Sequence, residues 1–486
     1  MRCLVTGATG YIGGRLAPRL LAEGRAVRCL ARTPGRLRDV PWAAQVEIVE
    51  GDLRRAETLP AAMRGVDVVY YLVHSLGQAG FEAADREAAT NVAAAAREAG
   101  VRRIVYLGGP EPTDTAAVSA HLRSRAEVAR ILLASGVPTA VLRAAVIIGS
   151  GSASFEMLRY LTERLPVMVT PRWVRNRIQP IAVRDVLQYL LACLDLPAGV
   201  NRAFDIGGPD VLTFTDMMQR YAAVAGLRRR IVVPVRPLTP TLSSYWVGLV
   251  TPVPNRIARP LVESLVHEAV AHEHDIARYV PDPPGGLTGF DAAVRLALAK
   301  VRDADVETRW STASGPDAAA EPLPTDPQWS GGSVYTDVQE RRVAATVPEL
   351  WRVIEGVGGE NGWYSFPLAW AVRGWLDRLV GGVGLRRGRR DPHRLRVGEA
   401  LDFWRVEEIV PGELLRLRAE MRLPGRAWLE MRAEPAGDGQ SRYVQRAVFL
   451  PRGLAGHAYW AAVTPFHTVV FGGMARNIAH HAETPR

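Results

Sequence analysis

Short apolar runs alternate with amphipathic stretches along the first 150 residues of the chain. The runs of strand length are Cys3–Val5, Val27–Ala31, Val46–Glu50, Val68–Leu72, Ile104–Leu107 and Thr139–Leu142. The stretches between them, such as Tyr11–Glu23 and Phe81–Ala99, carry apolar residues at helical spacing. Strands and helices in this alternation predict an α/β fold, a doubly wound parallel sheet of Rossmann type with right-handed crossovers.

The pattern becomes less regular after residue 150. Helices are predicted near Phe155–Leu165 and at Val183–Leu194, a strand is predicted at Phe204–Gly207, and proline-rich segments follow. We therefore predict a Rossmann domain over residues 1–235, followed over residues 236–310 by a helical extension that forms a substrate lobe.

A different pattern follows the segment 311–333, whose Ser, Gly, Pro and Asp content is typical of a linker. Most of the second half is predicted as strands, with a short helix early and a long helix at the end. The strands are Val334–Val343, Ala400–Ile409, Glu413–Arg422, Ala427–Ala433 and Arg442–Phe449, and the helices are Val347–Ile354 and Leu454–Ala482. This order predicts a separate α+β domain over residues 334–486.

The composition is that of a folded protein, with 48% hydrophobic and 23% charged residues among 486. A net charge of +10 raises the question of nucleic acid, but the basic residues are spread along the chain and Lys300 is the only lysine. The densest clusters, 228–230 and 386–390, are not interleaved with the aromatic side chains that single-strand binders use. We therefore expect no nucleic-acid partner.

The three cysteines, Cys3, Cys29 and Cys193, form no CxxC motif and no disulfide framework, which favours a reducing compartment. The sequence starts directly on a strand without a signal peptide, so we expect a cytoplasmic location. No apolar run reaches the ~18 residues of a membrane span. That leaves peripheral membrane contact open, and the oligomeric state is not indicated.

The clearest motif joins the first strand to the first helix. Gly7, Gly10 and Gly13 have the spacing of a dinucleotide-binding loop, in which they allow a tight turn, close approach of a pyrophosphate and close helix–sheet packing. Thr9, Tyr11 and Ile12 complete the loop, where the helix N-terminus offers free N–H groups to phosphate. The strand before and the helix after it are the context that this motif requires.

The end of the second strand indicates which dinucleotide binds. NAD-binding proteins usually carry an acidic residue there, whereas this strand ends in Ala31-Arg32-Thr33. A guanidinium such as that of Arg32, assisted by Arg36, suits the 2′-phosphate of NADP. We therefore predict NADP rather than NAD, with Asp52 near the adenine.

These residues resemble the short-chain dehydrogenase/reductase superfamily, in its extended and atypical (NmrA- and epimerase-like) branches. The glycine spacing matches, Asp52-Leu53 matches the adenine-side motif, and 142–149 matches the sixth strand with its following loop. The resemblance implies that Leu72, Val73 and His74 line the nicotinamide ribose.

The superfamily's catalytic pair, Tyr-x-x-x-Lys, is missing from the expected place. His121 stands in the tyrosine position and Arg125 in the lysine position, while Gly108-Gly109 replaces the upstream hydroxyl. In one interpretation His121 is the general acid, with a pKa suited to neutral pH, and Arg125 holds the cofactor. In the other, His121 only packs and hydrogen-bonds, and the site has no proton-transfer group.

The C-terminal domain resembles the helix-grip fold of START and polyketide-cyclase-like proteins. The resemblance and a generous aromatic content favour a pocket for a hydrophobic ligand, and the alternative is that the aromatics form an ordinary core. The segment 373–390 combines apolar residues with arginines, which suits an acidic head group or a solvated loop. His267 and His272 are five residues apart, so they do not share a helix face, and we predict no metal site.

Together these features favour an NADP-dependent oxidoreductase acting on a small, hydrophobic or lipid-like organic substrate. The alternative is a non-catalytic NADP-binding protein, such as a redox sensor, an assembly factor or a carrier of a hydrophobic ligand. The missing tyrosine and lysine favour the alternative, and the complete nucleotide loop with a substrate lobe favours the enzyme.

Overall fold

The computed structural model describes residues 1–38, 40–75, 80–111, 119–235, 247, 250–251, 253–303, 333–359, 362–365, 394–437 and 439–484. The chain divides into two compact units, Met1–Gly332 and Ser333–Arg486. Residues 311–332 of the predicted linker 311–333 and the basic segment 373–390 lie outside the described residues.

The first unit is built from alternating strands and helices. Its strands are β1 Arg2–Thr6, β2 Ala26–Ala31, β3 Glu47–Glu50, β4 Val68–Tyr71, β5 Arg103–Gly108, β6 Thr139–Ala144, β7 Ile147–Ile148, β8 Val167–Pro171, β9 Arg177–Ile178, β10 Ile181–Ala182, β11 Arg202–Ile206, β12 Leu212–Thr213 and β13 Ile231–Val235. Its helices are α1 Tyr11–Ala22, α2 Leu59–Met63, α3 Phe81–Glu98, α4 Ala120–Leu133, α5 Ala153–Arg164, α6 Val183–Ala192, α7 Phe214–Val224, α8 Asn255–Ser264 and α9 Phe290–Asp303.

Seven strands form one sheet in the order β11-β6-β5-β4-β1-β2-β3, and every neighbouring pair is parallel. The predicted doubly wound Rossmann sheet is therefore confirmed, and each predicted strand of the first 150 residues lies within two residues of an observed one. Because all seven strands run in one direction, their carboxyl ends share one edge of the sheet, where such folds bind their ligands.

Hydrophobic cores cover both faces of this sheet. One face packs residues such as Val5, Tyr70 and Leu142 against helices α1 and α6. The other packs residues such as Leu4 and Val141 against α2, α3 and α4. Burial on both faces explains why the strands are continuous apolar runs and not alternating ones.

A third core forms the lobe that the sequence predicts to hold substrate. It takes side chains from α5, α7, α8 and α9, among them Phe155, Met217, Val262 and Val294. Strand β11 of the Rossmann sheet lies between α5 and α7 in sequence, so the two cores are interleaved along the chain. The predicted cut after residue 235 therefore does not separate them, because the chain leaves the sheet for the lobe and then returns.

The second unit is an antiparallel sheet with a long helix. Its strands are β14 Tyr335–Val343, β15 Ala400–Leu401, β16 Trp404–Val410, β17 Leu414–Ala419, β18 Gly425–Gly437 and β19 Gln440–Pro451, and its helices are α10 Val347–Glu355 and α11 Gly453–Glu483. The strand order is β14-β19-β18-β17-β16-β15. The predicted single strand 400–409 is wrong, because Asp402 adopts a φ of 53° and divides it into β15 and β16.

The described aromatic side chains of this unit mostly fill its core. Trp351, Trp363, Phe403, Trp404 and Phe471 are buried together with aliphatic residues of β17 and β18. The sheet and terminal helix have the order that was expected, while the START-like resemblance and a hydrophobic ligand stay predictions. No helix in the described parts of either unit is both long and apolar enough to cross a bilayer.

Candidate functional site

The glycine loop has the conformation that its spacing predicts. Gly7 has a φ of 77°, and its carbonyl oxygen accepts a hydrogen bond of 2.8 Å from the N–H of Gly10. A Cβ at Gly13 would lie 2.3 Å from that same oxygen, so only glycine lets α1 start this close to the loop. Gly10 is exposed at the N-terminus of α1, and the loop therefore leaves a glycine-lined cradle there that fits a pyrophosphate.

Thr6 fastens the glycine loop to the next strand of the sheet. Its hydroxyl donates to the carbonyl oxygen of Tyr70 at 3.0 Å and accepts from the N–H of Leu72 at 3.2 Å. A Cβ at Gly7 would meet the Leu72 carbonyl oxygen at 2.8 Å and a methyl group of Val73 at 3.2 Å. The structure thus places Leu72 and Val73 directly against the loop.

The adenine side is formed where β2 and β3 end. Arg32 and Arg36 are both exposed just beyond β2. The N–H of Gly51 donates to the carbonyl oxygen of Ala31 at 3.1 Å, and this bond brings the next residue, Asp52, to the end of β2. A carboxylate oxygen of Asp52 accepts from the N–H of Arg54 at 3.1 Å and so shapes its own turn.

Helix α4 carries the residues that replace the tyrosine and lysine. The Ser119 side chain caps the helix by accepting from the N–H of Leu122 at 3.3 Å, and His121 lies in the first turn. One turn later, Arg125 donates through Nη1 to the carbonyl oxygen of Leu107 at 3.0 Å. The lysine-position cation is therefore held at the carboxyl end of β5.

The electrostatics around α4 correct one expectation. Burial, the charge of Arg125 and the neighbouring His74 lower the pKa of His121 to about 2. A pKa suited to neutral pH was therefore the wrong expectation, because this lowered pKa leaves His121 a neutral imidazole at pH 7.

A buried carboxylate that sequence reasoning missed supports this centre. Asp85 on α3 accepts from the N–H of Ser75 at 2.8 Å and from the Ser124 hydroxyl at 2.9 Å. It joins the segment after β4, which carries His74, to helix α4, which carries His121. An acidic residue on the alanine-rich face of α3 was the available signal, because such a face is otherwise apolar.

A small open cleft lies at the carboxyl ends of β5, β6 and β11, and its volume of about 10 Å³ is room for about one water molecule. Its lining includes Glu111, Arg143, Asp205 and His272. Arg143 donates through Nε to Asp205 at 2.6 Å and also pairs with Glu111, while the N–H of His272 donates to Asp205 at 2.8 Å. Sequence reasoning missed this cleft, although a charged residue near the end of each apolar strand marks it.

Two different protein families match the N-terminal and the C-terminal part of the chain. Residues 7–150 match a family described as NAD(P)H-binding. Residues 329–474 match a family described as a protein of unknown function, DUF2867. The first domain is therefore an NAD(P)H-binding domain, and the second carries no described activity.

Individual relatives include reductases. The (4-alkanoyl-5-oxo-2,5-dihydrofuran-3-yl)methyl phosphate reductase of Streptomyces griseus subsp. griseus is 31% identical over 229 residues, which are 46% of this chain and 73% of that protein. The ceramide reductase of Caulobacter vibrioides is 28% identical over 304 residues, 60% of this chain and 92% of that protein. Among solved structures, a Citrobacter sp. triphenylmethane reductase shares the fold with a TM-score of 0.50 and 21% identity, covering 62% of this chain and all of that chain.

Proposed function

The chain belongs to the family of NAD(P)H-binding reductases that includes the Streptomyces griseus enzyme, and on this premise we propose that it is an NADPH-dependent reductase of a hydrophobic organic substrate. The supporting observation is the order of groups along the carboxyl edge of the sheet. Arg32 and Asp52 lie just beyond β2 and β3, and Arg125, one turn after His121 on α4, lies at the end of β5. The cleft around Arg143 lies at β5, β6 and β11.

Different residues along this edge would bind different parts of the cofactor. The glycine loop would bind the pyrophosphate, and Arg32 would bind the 2′-phosphate that distinguishes NADPH from NADH. Arg125 is fixed by Leu107 and would hold the nicotinamide half. When bound, the cofactor supplies the hydride.

His121 would act as a hydrogen-bond donor to the substrate oxygen. A neutral imidazole polarises a carbonyl without giving up a full charge, and its low pKa keeps it in that form across the physiological range. The proton that completes a reduction would then come from solvent at the open cleft, because His121 carries no excess proton to give.

The substrate class is inferred from the relatives. The Streptomyces griseus enzyme reduces an alkanoyl compound, and the Caulobacter vibrioides enzyme reduces ceramide. We infer a carbonyl compound or enone with an alkyl chain as the substrate.

The direct test offers the purified chain NADPH deuterated at C4 together with alkyl ketones, 3-oxoacyl compounds and enones. Deuterium in a product, measured by mass spectrometry, is the expected result, and the same panel with NADH should give less product. Tight NADPH binding without deuterium transfer to any class would contradict the reductase and favour the non-catalytic alternative.

A further inference from the structure

Two short strands of the substrate lobe form a separate parallel sheet. In the register of β8 and β13, Val167 lies opposite Ile231 and Val169 lies opposite Val233. Paired residues and those two apart share a face. These four side chains therefore form one cluster, which we call the valine face.

The opposite face of this small sheet packs on the lobe. Met168 is buried in the lobe core, and Thr170 is buried beside it. The N–H of Ile231 donates to the carbonyl oxygen of Pro166 at 3.0 Å. The Gln219 side-chain amide donates to the carbonyl oxygen of Arg230 at 2.7 Å and accepts from the N–H of Arg230 at 3.1 Å. The valine face is thus fixed in place by the protein beneath it.

The valine face is open to solvent. The relative exposures are 52% for Val167, 55% for Val169, 60% for Ile231 and 43% for Val233. A sheet with one solvated face normally carries polar residues on it, because the alternation of strand side chains allows both demands to be met. Four adjacent β-branched apolar residues there depart from that rule, and such exposed patches mark contact surfaces.

Positive charge borders the valine face at one end. Arg228 and Arg229 lie three and two residues before the start of β13, and both are exposed. The start of β13 lies beside the start of β8, so these cations adjoin Val167 and Ile231.

We propose that the valine face, with Arg228 and Arg229, docks the protein on the surface of an anionic lipid bilayer. Apolar side chains that enter the boundary between head groups and acyl chains, next to basic residues that meet anionic lipids, are the two components of peripheral binding. The proposal does not depend on the reductase function. It gives the substrate lobe a position at the membrane surface.

A second copy of the chain could also cover the valine face, but the small area of that face argues against a stable dimer. A stable interface buries about 800 Å² per partner. Four side chains, each about half exposed, offer much less than that, and paired arginines from two copies would repel each other across a symmetric contact.

Vesicle flotation of the full-length chain tests the proposal. The protein should float with vesicles in which a third of the lipid is phosphatidylglycerol, and much less with pure phosphatidylcholine. Raising the salt to about 1 M, where the Debye length is about 3 Å, should release it. Replacing both arginines by glutamine should weaken partitioning roughly thirtyfold.

The contribution of the apolar residues is tested with Val169→Asp. The milder Val169→Ser serves in case the aspartate disturbs the fold. The matched control is Val211→Asp, since Val211 is also exposed, at 44%, but lies outside the valine face. Both Val169 variants should lose flotation while the control keeps it, with NADPH binding confirming that all are folded.

Three results would overturn the proposal. The wild-type chain could fail to float with the anionic vesicles, or the Val169 variants could float as well as the control. Alternatively, light scattering could show a dimer that Val169→Asp converts to a monomer, in which case a second copy covers the valine face.

Discussion

Arg125 and Leu107 are joined by a hydrogen bond of 3.0 Å from the guanidinium Nη1 to the main-chain carbonyl oxygen. This bond holds a cation at the carboxyl end of β5 and places its charge near His121, whose pKa it helps to lower. A lysine in the same position would have a shorter reach and no planar fork. The centre of the site is thus arranged around an arginine.

Replacing Gly13 by alanine should disable the nucleotide loop. The added Cβ would lie 2.3 Å from the Gly7 carbonyl oxygen, so the loop and α1 must move apart. Forcing a methyl group into such a contact typically costs about 1–3 kcal/mol. Thermal unfolding should show a lower Tm, and NADPH titration should show weak binding or none. Gly199→Ala, where nothing lies within 4 Å, is the control and should resemble wild type.

Arg32→Ala should change cofactor preference more than overall binding. A hydrogen bond to a charged group contributes about 1.5–3 kcal/mol, so NADPH affinity should fall about ten- to a hundredfold while NADH affinity stays nearly constant. Calorimetric titration with both cofactors measures this. Arg38→Ala, an exposed arginine of the same segment, is the control. An equal loss for both cofactors would show that Arg32 does not recognise the 2′-phosphate.

His121 should make the fold sensitive to acid. Its pKa is lowered from 6.5 to about 2, so below about pH 6.5 the unfolded chain binds a proton that the folded chain does not. The contribution of His121 to the free energy of unfolding is complete above about pH 6.5. It is lost as the pH falls below that value, by up to about 1.4 kcal/mol per pH unit.

Urea unfolding between pH 7 and pH 4 checks this expectation. The variant His121→Gln should lose less stability over that range than wild type, whereas His274→Gln, at an exposed histidine, should follow wild type. Arg125→Leu should also flatten the profile, because the cation helps to keep His121 neutral. Identical slopes for all four proteins would count against a neutral, buried His121.

Asp85 and Ser124 should be energetically coupled. Asp85→Ala leaves the Ser75 N–H and the Ser124 hydroxyl without their acceptor, which costs about 1–3 kcal/mol. Ser124→Ala should cost less, and the double variant should cost less than the sum. Urea unfolding of the four proteins gives the coupling energy, and simple additivity would show that the two side chains act independently.

The second unit contains a buried ion pair that should not tolerate loss of one partner. Arg416 donates through Nε to Glu430 at 2.8 Å, and both side chains are almost fully buried. Arg416→Met should destabilise the unit by about 3–5 kcal/mol, because it leaves the Glu430 carboxylate buried and less well paired. Arg418→Met, on the same strand but half exposed, should cost less than about 1 kcal/mol. Chemical unfolding measures both.

Much of the fold followed from local patterns in the sequence. The apolar runs placed the strands of the Rossmann sheet within two residues, and the glycine spacing located the loop, because strand period and backbone conformation depend on neighbouring residues. The positions of His121 and Arg125 came from a resemblance, and their roles remain predictions.

Only the tertiary structure decided which distant residues meet. Asp85 and Ser124 are 39 positions apart, and Arg143 and Asp205 are 62 apart, so no local pattern pairs them. The pKa of His121 likewise depends on burial and on Arg125 and His74 together. The sequence by itself determined the elements and the nucleotide loop. Packing decided the cleft around Arg143, the neutral histidine and the exposed valine face, because each depends on how separate elements are brought side by side.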